Sequence, residues 1–576
     1  VRRDGIALIT TLAILVVVGV LAFGTFFTTQ IEQWTARNDS TSTQANYVAQ
    51  AGLQKYKTIL FQNYRWVEQG STSSPSGGST VCRNSLANGI DFDRDGTLTP
   101  FTGGTMGPFT ESVTDTSGRV IGQYRVTITR ATNNPQIYTV TSVGTSAGAR
   151  STVQAVFQIA NTGYLDNAIF AGQGQANKFI NGGATIRGGI YIVGDPNNPN
   201  QKVIESNGNF SLLNHYNMSD YSAVSGRVDS ANRVANDLCA SLRVQYGKVE
   251  VGGSTLIGEP TNKVKGVYVG NGASDVSGNA SDVCTRTKGI CTEQGPAPFD
   301  IANAPGFPTL GSRGECSIAG NPTPTWRDCI QNQSSTPGSG LRIVRVAGVT
   351  TLSWPALSPN PLTPPAACLT FLNTSSLTFN TQNVDCSYTL PDGRKGGFVY
   401  NGSSSPAGFT VYGSVDFEGF NLTFSKAIDY TARSWVSVNG SYTQVNTASL
   451  TVMKNSTGSG GALDLDSNLL PKTSDGFFPQ HVLGLVAEGD VYQRGQYVMA
   501  PLYSGGTFRI VKDNVLFGSV VANMFCTTSA GNQSSCAAGQ KSEVVYINTG
   551  ANKPSIMRQV ERSTIPVFKI LSYERR

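Results

Sequence analysis

Residues 1–27, VRRDGIALITTLAILVVVGVLAFGTFF, decide how the rest of the chain is read. Two arginines, an aspartate and a glycine stand before a stretch, Ile6 to Phe27, that carries no charge. As an α-helix rising 1.5 Å per residue, that stretch would be roughly 33 Å long, enough to cross a bilayer's hydrocarbon core. A secretory signal peptide has a shorter apolar run that ends at small residues. Here the cleavable-looking site, Gly5-Ile6, lies before the run. No proline occurs until Pro75, so the helix is free to continue past the apolar part.

Periodicity supports that continuation. Alternate steps of three and four from Ile31 reach Trp34, Asn38, Thr41, Ala45, Val48, Gly52, Lys55 and Ile59. Glu32, Arg37, Asp39, Gln50 and Lys57 fall off this stripe, and Leu53, Tyr56 and Leu60 widen it into one packing face. The pattern predicts one helix over residues 6–63, membrane-spanning over 6–27 and amphipathic in its second half.

Arg2-Arg3-Asp4-Gly5, then Ile6-Ala-Leu-Ile9, and further on Tyr47-Val-Ala-Gln-Ala-Gly-Leu53 resemble the start of type IV pilins, most of all the PilX-type minor pilins. The resemblance covers residues 1–63 well and the next hundred more loosely. It implies a leader over 1–5, cleavage by a prepilin peptidase between Gly5 and Ile6, methylation of the new terminus, and partner pilins packed along the helix. One position departs from the pattern. Most pilins carry glutamate fifth in the mature chain, where it pairs with a neighbour's terminal amine; here Thr10 stands there. A carboxylate buried in lipid needs such a partner. In related systems, subunits without that glutamate tend to sit at the filament tip. A single-pass membrane protein with an extracellular head is the plainer alternative.

Composition points outside the cell. Charged residues make up 14% of the chain, against about 25% in ordinary soluble proteins. Residues 161–470 hold 20 Lys and Arg against 21 Asp and Glu. A net charge of +6 over 576 residues therefore does not by itself establish a nucleic-acid partner. Ten cysteines, none in a C-x-x-C, suggest disulfides in an oxidising compartment. Eight are near neighbours, Cys284/Cys291, Cys316/Cys329, Cys368/Cys386 and Cys526/Cys536, and Cys82 and Cys239 remain.

Ser71–Thr80 is a Gly/Ser-rich break after the helix. Within residues 64–164, alternation at Tyr124, Val126 and Ile128, at 137–143 and at Val153 to Ile159 predicts an antiparallel sheet. One face of that sheet would cover the second half of the helix. From 165 to 545 the texture changes to short apolar pieces bounded by Gly, Asn or Ser, such as Ile190–Val193, Gly266–Val269, Phe409–Tyr412 and Val515–Phe517. They suit a β-solenoid, whose rungs stack into one core; a string of β-sandwich modules is the alternative. Residues 546–576 end in a strand, Ile565–Tyr573, that could return to the first sheet. The fold class is then an α+β pilin, a long N-terminal helix on an antiparallel sheet, with a large all-β insertion. A β-solenoid inserted in a pilin sheet resembles the competence-associated minor pilins.

Little catalytic chemistry is legible. Asp91, Asp93, Asp95, Gly96 and Thr97 follow a calcium-loop pattern, D-x-D-x-D-G. The twelfth position is Thr102 rather than glutamate, leaving Glu111 or Asp115 to complete a site, or a solvated turn with no ion. Asp464 and Asp466 are a weaker pair. Gly144-Thr-Ser-Ala-Gly148 matches a nucleophile elbow, yet it lies between two strands, where that motif does not work. His215 and His481 are the only histidines. A carboxylate-lined polysaccharide-active groove is a remote alternative to a protein that catalyses nothing.

Basic pairs are local: Lys263 with Lys265, Arg286 with Lys288, Arg342 with Arg345, and Arg394 with Lys395. Ranged along one face they could follow a DNA backbone; singly they are solvated surface charges. The expectation is a minor pilin at or near the tip of a type IV pilus. It would start in the inner membrane and then display an extracellular head as a receptor for double-stranded DNA in natural transformation. An adhesin, a pilus-assembly priming subunit and a secretion-system tip pseudopilin are the other readings.

Overall fold

The computed structural model describes residues 4–68, 104–130, 137–158, 163–175, 180–181, 183–207, 209–278, 284, 289–299, 301, 304–356, 362–528, 536, 541–549, 552–561 and 569–575. The chain forms two compact units. One gathers Val1–Trp66, Ser85–Ile159 and Phe568–Arg576; the other comprises Val67–Asn84 and Ala160–Val567. Residues 546–567, grouped by sequence with the returning strand, thus fall in the second unit.

The first unit is built on one helix, α1 (Asp4–Glu68), which overruns the predicted 6–63 at both ends because no proline interrupts it. Leu8, Leu12, Leu15, Leu21 and Phe23 project from it, each more than half exposed. Among the described residues it is the one helix long and apolar enough to cross a membrane. The hydroxyls of Thr25, Thr28 and Thr29 donate to the carbonyls of Leu21, Gly24 and Thr25 at 3.1, 2.8 and 2.8 Å. They are therefore satisfied without water, as a helix in lipid requires.

Towards its end α1 packs on a sheet of β1 (Thr105–Thr114), β2 (Val120–Arg130), β3 (Ile137–Ser146) and β4 (Ala149–Gln158), antiparallel in that order. The C-terminal strand Lys569–Arg575 adds antiparallel to β4. Val48, Ala49, Leu53, Tyr56 and Leu60 meet Tyr124, Val126, Val140, Val153 and Phe157 in one core. The predicted face holds at Ala45, Val48, Gly52, Leu53, Tyr56 and Leu60, which are buried, but its 3.5-spaced stripe slips at Lys55, which is exposed. Steps averaging 3.5 residues drift about 20° per heptad on a straight helix, so the buried face moves on by one residue. Ile31 and Trp34, also on that stripe, are exposed.

Glycine lets the helix come close. A Cβ at Gly144 would lie 2.2 Å from the Ala45 carbonyl oxygen and 2.4 Å from the Ala49 nitrogen. The rim carries a charge network: Lys55 Nζ lies 2.5 Å from Glu111, and the Tyr124 hydroxyl donates to the same carboxylate at 2.8 Å. Burial works against ionisation of Glu111, but the hydrogen bonds from Lys55 and Tyr124 outweigh it and hold the carboxyl below its ordinary range.

The regular structure of the second unit is mainly short strands, most of them paired in parallel, with antiparallel hairpins such as Asn383–Thr389 with Lys395–Asn401. Ile169–Gln175 is followed outward by Ile190–Ile192, Ser241–Val244, Val264–Val269 and Thr292–Ala297. A crossover containing helix α2 (Trp326–Ser335) then leads to the opposite edge of the same sheet. From there Gly340–Val346, Ser414–Glu418, Thr447–Met453, Val482–Ala487, Leu502–Val511 and Val520–Thr528 step back inward, and the last pairs with Ile169–Gln175. A second sheet repeats this order, joining Ser542–Val545 to Ala184–Arg187. The chain therefore enters and leaves this unit at its middle. Close to both points Lys553 Nζ lies 3.2 Å from Asp166, and each side chain is only 7% exposed.

Strand interiors such as Ile192, Leu242, Phe417, Leu450, Leu485 and Val520 build one continuous core. The outer face of the first sheet is covered by Trp326 and Ile330 of α2 and by Ile556 and Met557 of helix α3 (Ser555–Glu561). The Trp326 indole donates to the Ile556 carbonyl at 3.0 Å. Four disulfides close short loops: Cys284–Cys291, Cys316–Cys329, Cys368–Cys386 and Cys526–Cys536. Cys239 is also disulfide-bonded, and Cys82 lies outside the described residues.

Two outcomes test this account. Gly144→Val forces the helix off the sheet and should cost about 1–3 kcal/mol, the usual range for overpacking, seen as a lower midpoint in urea; an unchanged midpoint contradicts the close approach. Because the Glu111 pKa is depressed, its stabilising effect is present above the ordinary carboxylate range and lost as pH falls through the lowered value. Glu111→Gln should flatten that acid limb in unfolding curves taken below about pH 4.5.

Candidate functional site

The sequence-derived basic residues are separated rather than ranged together. Lys263 and Lys265 belong to the strand Val264–Val269 or precede it, one strand from one end of the first sheet. Arg342 and Arg345 lie on Gly340–Val346, near the other end. Nine strand steps lie between those two strands, roughly 43 Å at ~4.8 Å per step. Arg394 and Lys395 are at the start of Lys395–Asn401, in the second sheet. Arg286 and Lys288 are outside the described residues.

Half of the six are neutralised in place. Lys265 Nζ is 2.8 Å from both Asp237 and Glu293. Arg342 Nε is 2.5 Å from Glu418, and Arg394 Nε is 2.7 Å from Asp392. Burial lowers the Lys265 pKa, but its hydrogen bonds to the two acids prevail and raise it. Arg345 instead donates to the Thr350 hydroxyl at 3.0 Å. Lys263 is exposed and Lys395 is partly so. Among the described residues, Lys263, Arg345 and Lys395 make no ion pair.

Arg394 and Lys395 belong to a corner that sequence reasoning did not assemble. Ile428–Val438 runs past the sheet and turns back at Asn439-Gly440 into Ser441–Val445. Both turn residues have positive φ, 51° and 83°, as a tight hairpin of the Asn-Gly kind requires. The Arg394 guanidinium stands 3.9 Å over the Tyr442 ring, and Lys395 Nζ stands 5.5 Å over Tyr412. Tyr412 in turn stacks on Trp435 with centroids 6.3 Å apart. Arg433, in register with Tyr412, is 3.3 Å from Asp475. The signal available beforehand was Asn439-Gly440 followed by Tyr442, read without the partner strands.

The remaining motifs resolve structurally. Asp91, Asp93, Asp95 and Thr97, the candidate calcium ligands, lie outside the described residues. Of the acids considered for completing that loop, Glu111 is committed to Lys55 and Tyr124. Asp115 accepts from Ser117 and Arg119 within its own turn. Gly144–Gly148 is the β3–β4 hairpin, where Ser146 is buried and donates to the Ile121 carbonyl at 2.6 Å. It therefore has no elbow geometry. His481 is buried, and its Nε2 accepts from the Ala432 amide at 2.7 Å; burial lowers its pKa. The acids that do lie side by side, Asp416 and Glu418, are buried, with Gln331 of α2 donating to Glu418 at 3.0 Å. Burial raises the Asp416 carboxyl well above its ordinary range, with neighbouring Glu418 adding to the effect. Gly5 and Ile6, the candidate processing site, are in the first turns of α1.

The crystal structure of the competence-associated pilin ComZ from Thermus thermophilus is similar to this chain, with a TM-score of 0.72 and 49% sequence identity. The likeness covers 93% of this chain and 97% of that one. The chain belongs to the ComZ family of competence-associated pilins. No family model and no curated protein matches it. Membership in the ComZ family accounts for a long apolar helix followed by a large strand-rich unit. With the apolar N-terminal helix, that membership fits a structural pilin anchored through α1 in a membrane.

Proposed function

We propose that this ComZ-like protein is a minor pilin at or near the tip of a type IV pilus, whose head is the receptor for double-stranded DNA in natural transformation. The observation that carries this reading is its 49% identity to a competence-associated pilin across nearly the whole chain. Thr10 in place of the usual glutamate supports a terminal position, since a subunit lacking that carboxylate lacks half of the usual docking contact. A prepilin peptidase would cut between Gly5 and Ile6 before assembly.

In this reading the head is a β-solenoid inserted between β4 and the C-terminal strand of a pilin sheet. Its parallel pairing favours that over sandwich modules, which are antiparallel. Lys263 and Arg345 are near opposite ends of one sheet, far enough apart for more than one turn of duplex, about 34–36 Å, to lie between them. With half of the basic set paired internally, contacts to phosphate would be few and affinity modest.

Binding of duplex DNA by the detergent-solubilised full chain should weaken as salt rises, with a shallow slope of about 0.9 per phosphate contact. Lys263→Ala and Lys395→Ala should each lower that slope by about one; no binding at low salt sinks the receptor reading. Gold labels on a tagged head should appear at pilus ends in electron micrographs, and labels spread along the shaft would contradict the tip position.

A further inference from the structure

Cys239 is disulfide-bonded, yet it belongs to none of the four short bonds. Those bonds use eight of the ten cysteines, no described cysteine is free, and Cys82 alone remains in the sequence. We infer that Cys82 and Cys239 form a fifth disulfide, a covalent brace that ties the connection after α1 to the head. In forming it the two thiols give up two protons and two electrons to a protein disulfide donor, which is left as a dithiol.

The head's end of the brace is held in one geometry. Cys239 has a φ of 56°, a left-handed conformation that a residue with a Cβ keeps only where its surroundings impose it. Buried Asn214 does so from both sides: its Oδ1 accepts from the amides of Leu238 at 3.1 Å and Ala240 at 2.8 Å. Its Nδ2 donates to Asp237 and to the Lys263 carbonyl, each at 3.0 Å. The Cys239 amide donates to Asp237 at 2.9 Å. The strand Ser241–Val244 starts just beyond, paired on one side with Ile190–Ile192 and on the other with Val264–Val269. A pull on the Cys239 sulfur is therefore passed to a strand whose Leu242 and Val244 are set in the core.

The other end follows Glu68, where α1 stops. Cys82 belongs to the segment Val67–Asn84, which groups with the head although the chain before and after it, Val1–Trp66 and Ser85–Ile159, belongs to the first unit. A bond to Cys239 accounts for that excursion. Without the bond, the chain carries load between the units only through the crossings after Ile159 and before Phe568. The second of these leads into Lys569–Arg575, the edge of its sheet, paired with β4 alone. The brace supplies a route from the head to α1 that bypasses this edge. It also closes a loop from residue 82 to residue 239, much longer than the other four, and so constrains the unfolded chain more than any of them. These consequences hold whatever the head binds.

Trypsin digestion of the unreduced full chain should yield the peptides Trp66–Arg83 and Val234–Arg243 as one joined species in mass spectra, split by a reductant. Protease sites engineered into residues 160–163 and 562–567 then test the brace itself. After cleavage at both, α1 and the head of the oxidised protein should stay together in a denaturing gel. Reduction, Cys82→Ser or Cys239→Ser should each separate them. Peptide mapping of the wild type keeps the test valid if either variant misfolds. The inference is overturned if iodoacetamide alkylates Cys82 in the unreduced protein, or if Cys239 maps to another cysteine or to a second copy of the chain. Separation of the doubly cut, oxidised protein without a reductant would overturn it equally.

Discussion

The head depends on a pairing between strands that lie far apart in sequence. Val520–Thr528 joins Ile169–Gln175 in parallel, about 350 residues apart, and Ser542–Val545 joins Ala184–Arg187 in the same way. Until those pairs form, the first strands of the unit present an open edge, with backbone donors and acceptors that only water satisfies. Once formed, they merge two separately wound halves into one core that runs from Val264 and Val267 to Phe417 and Leu422. The join also brings the entry and exit of the unit together, so that a segment of some 400 residues can leave one strand of a small sheet and return to the next. The buried Lys553–Asp166 pair is near that point. A buried ion pair is retained there at a desolvation penalty that an apolar contact would avoid, in exchange for a defined geometry.

Such a topology has kinetic consequences. Contacts separated by hundreds of residues form late, because chain entropy must be lost before they contribute. The half formed by residues 340–545 can wind inward rung upon rung, each strand adding to the one before. The half formed by 169–297 winds outward from a strand whose other neighbour is not yet made. The four disulfides that close loops of 7 to 18 residues suit this order. They staple local segments and impose no requirement on when the long-range join occurs.

What could be read beforehand follows the range of the interactions. The helix was legible because its signal is local: an uncharged run, then a repeating apolar face, with no breaker. Even there the 3.5 repeat placed Lys55 on the face with Tyr56, where the structure buries Tyr56 and leaves Lys55 exposed. The four short disulfides were legible because neighbouring cysteines close small loops. The order of strands in the head was not, since nothing local to Ile169 or Val520 announces that they meet. The neutralisation of Arg342 was equally hidden, because Glu418 comes from a strand 76 residues away. Only the Asn439-Gly440 turn hinted at the aromatic corner; Tyr412 and the two basic residues reach it from other strands.

These placements bear on how a nearly neutral head could recognise anything. Where Lys265, Arg342 and Arg394 are tied to acids, their charge is spent on holding strands and loops in register, and little long-range field remains to draw in a polyanion. Recognition must then rest on short-range features: a few unpaired cations, aromatic faces held by neighbouring cations, and polar groups fixed by the sheet. Such features discriminate by shape and hydrogen bonding, and they lose less to salt than a basic groove would. If the head is displayed outside the cell, as proposed above, it would meet variable ionic strength, and a surface whose specificity lies in fixed dipoles and rings would keep working there. The parallel core beneath Tyr412 and Trp435 is what keeps those groups in place, so any recognition they take part in would depend on the same backbone pairing that closes the fold.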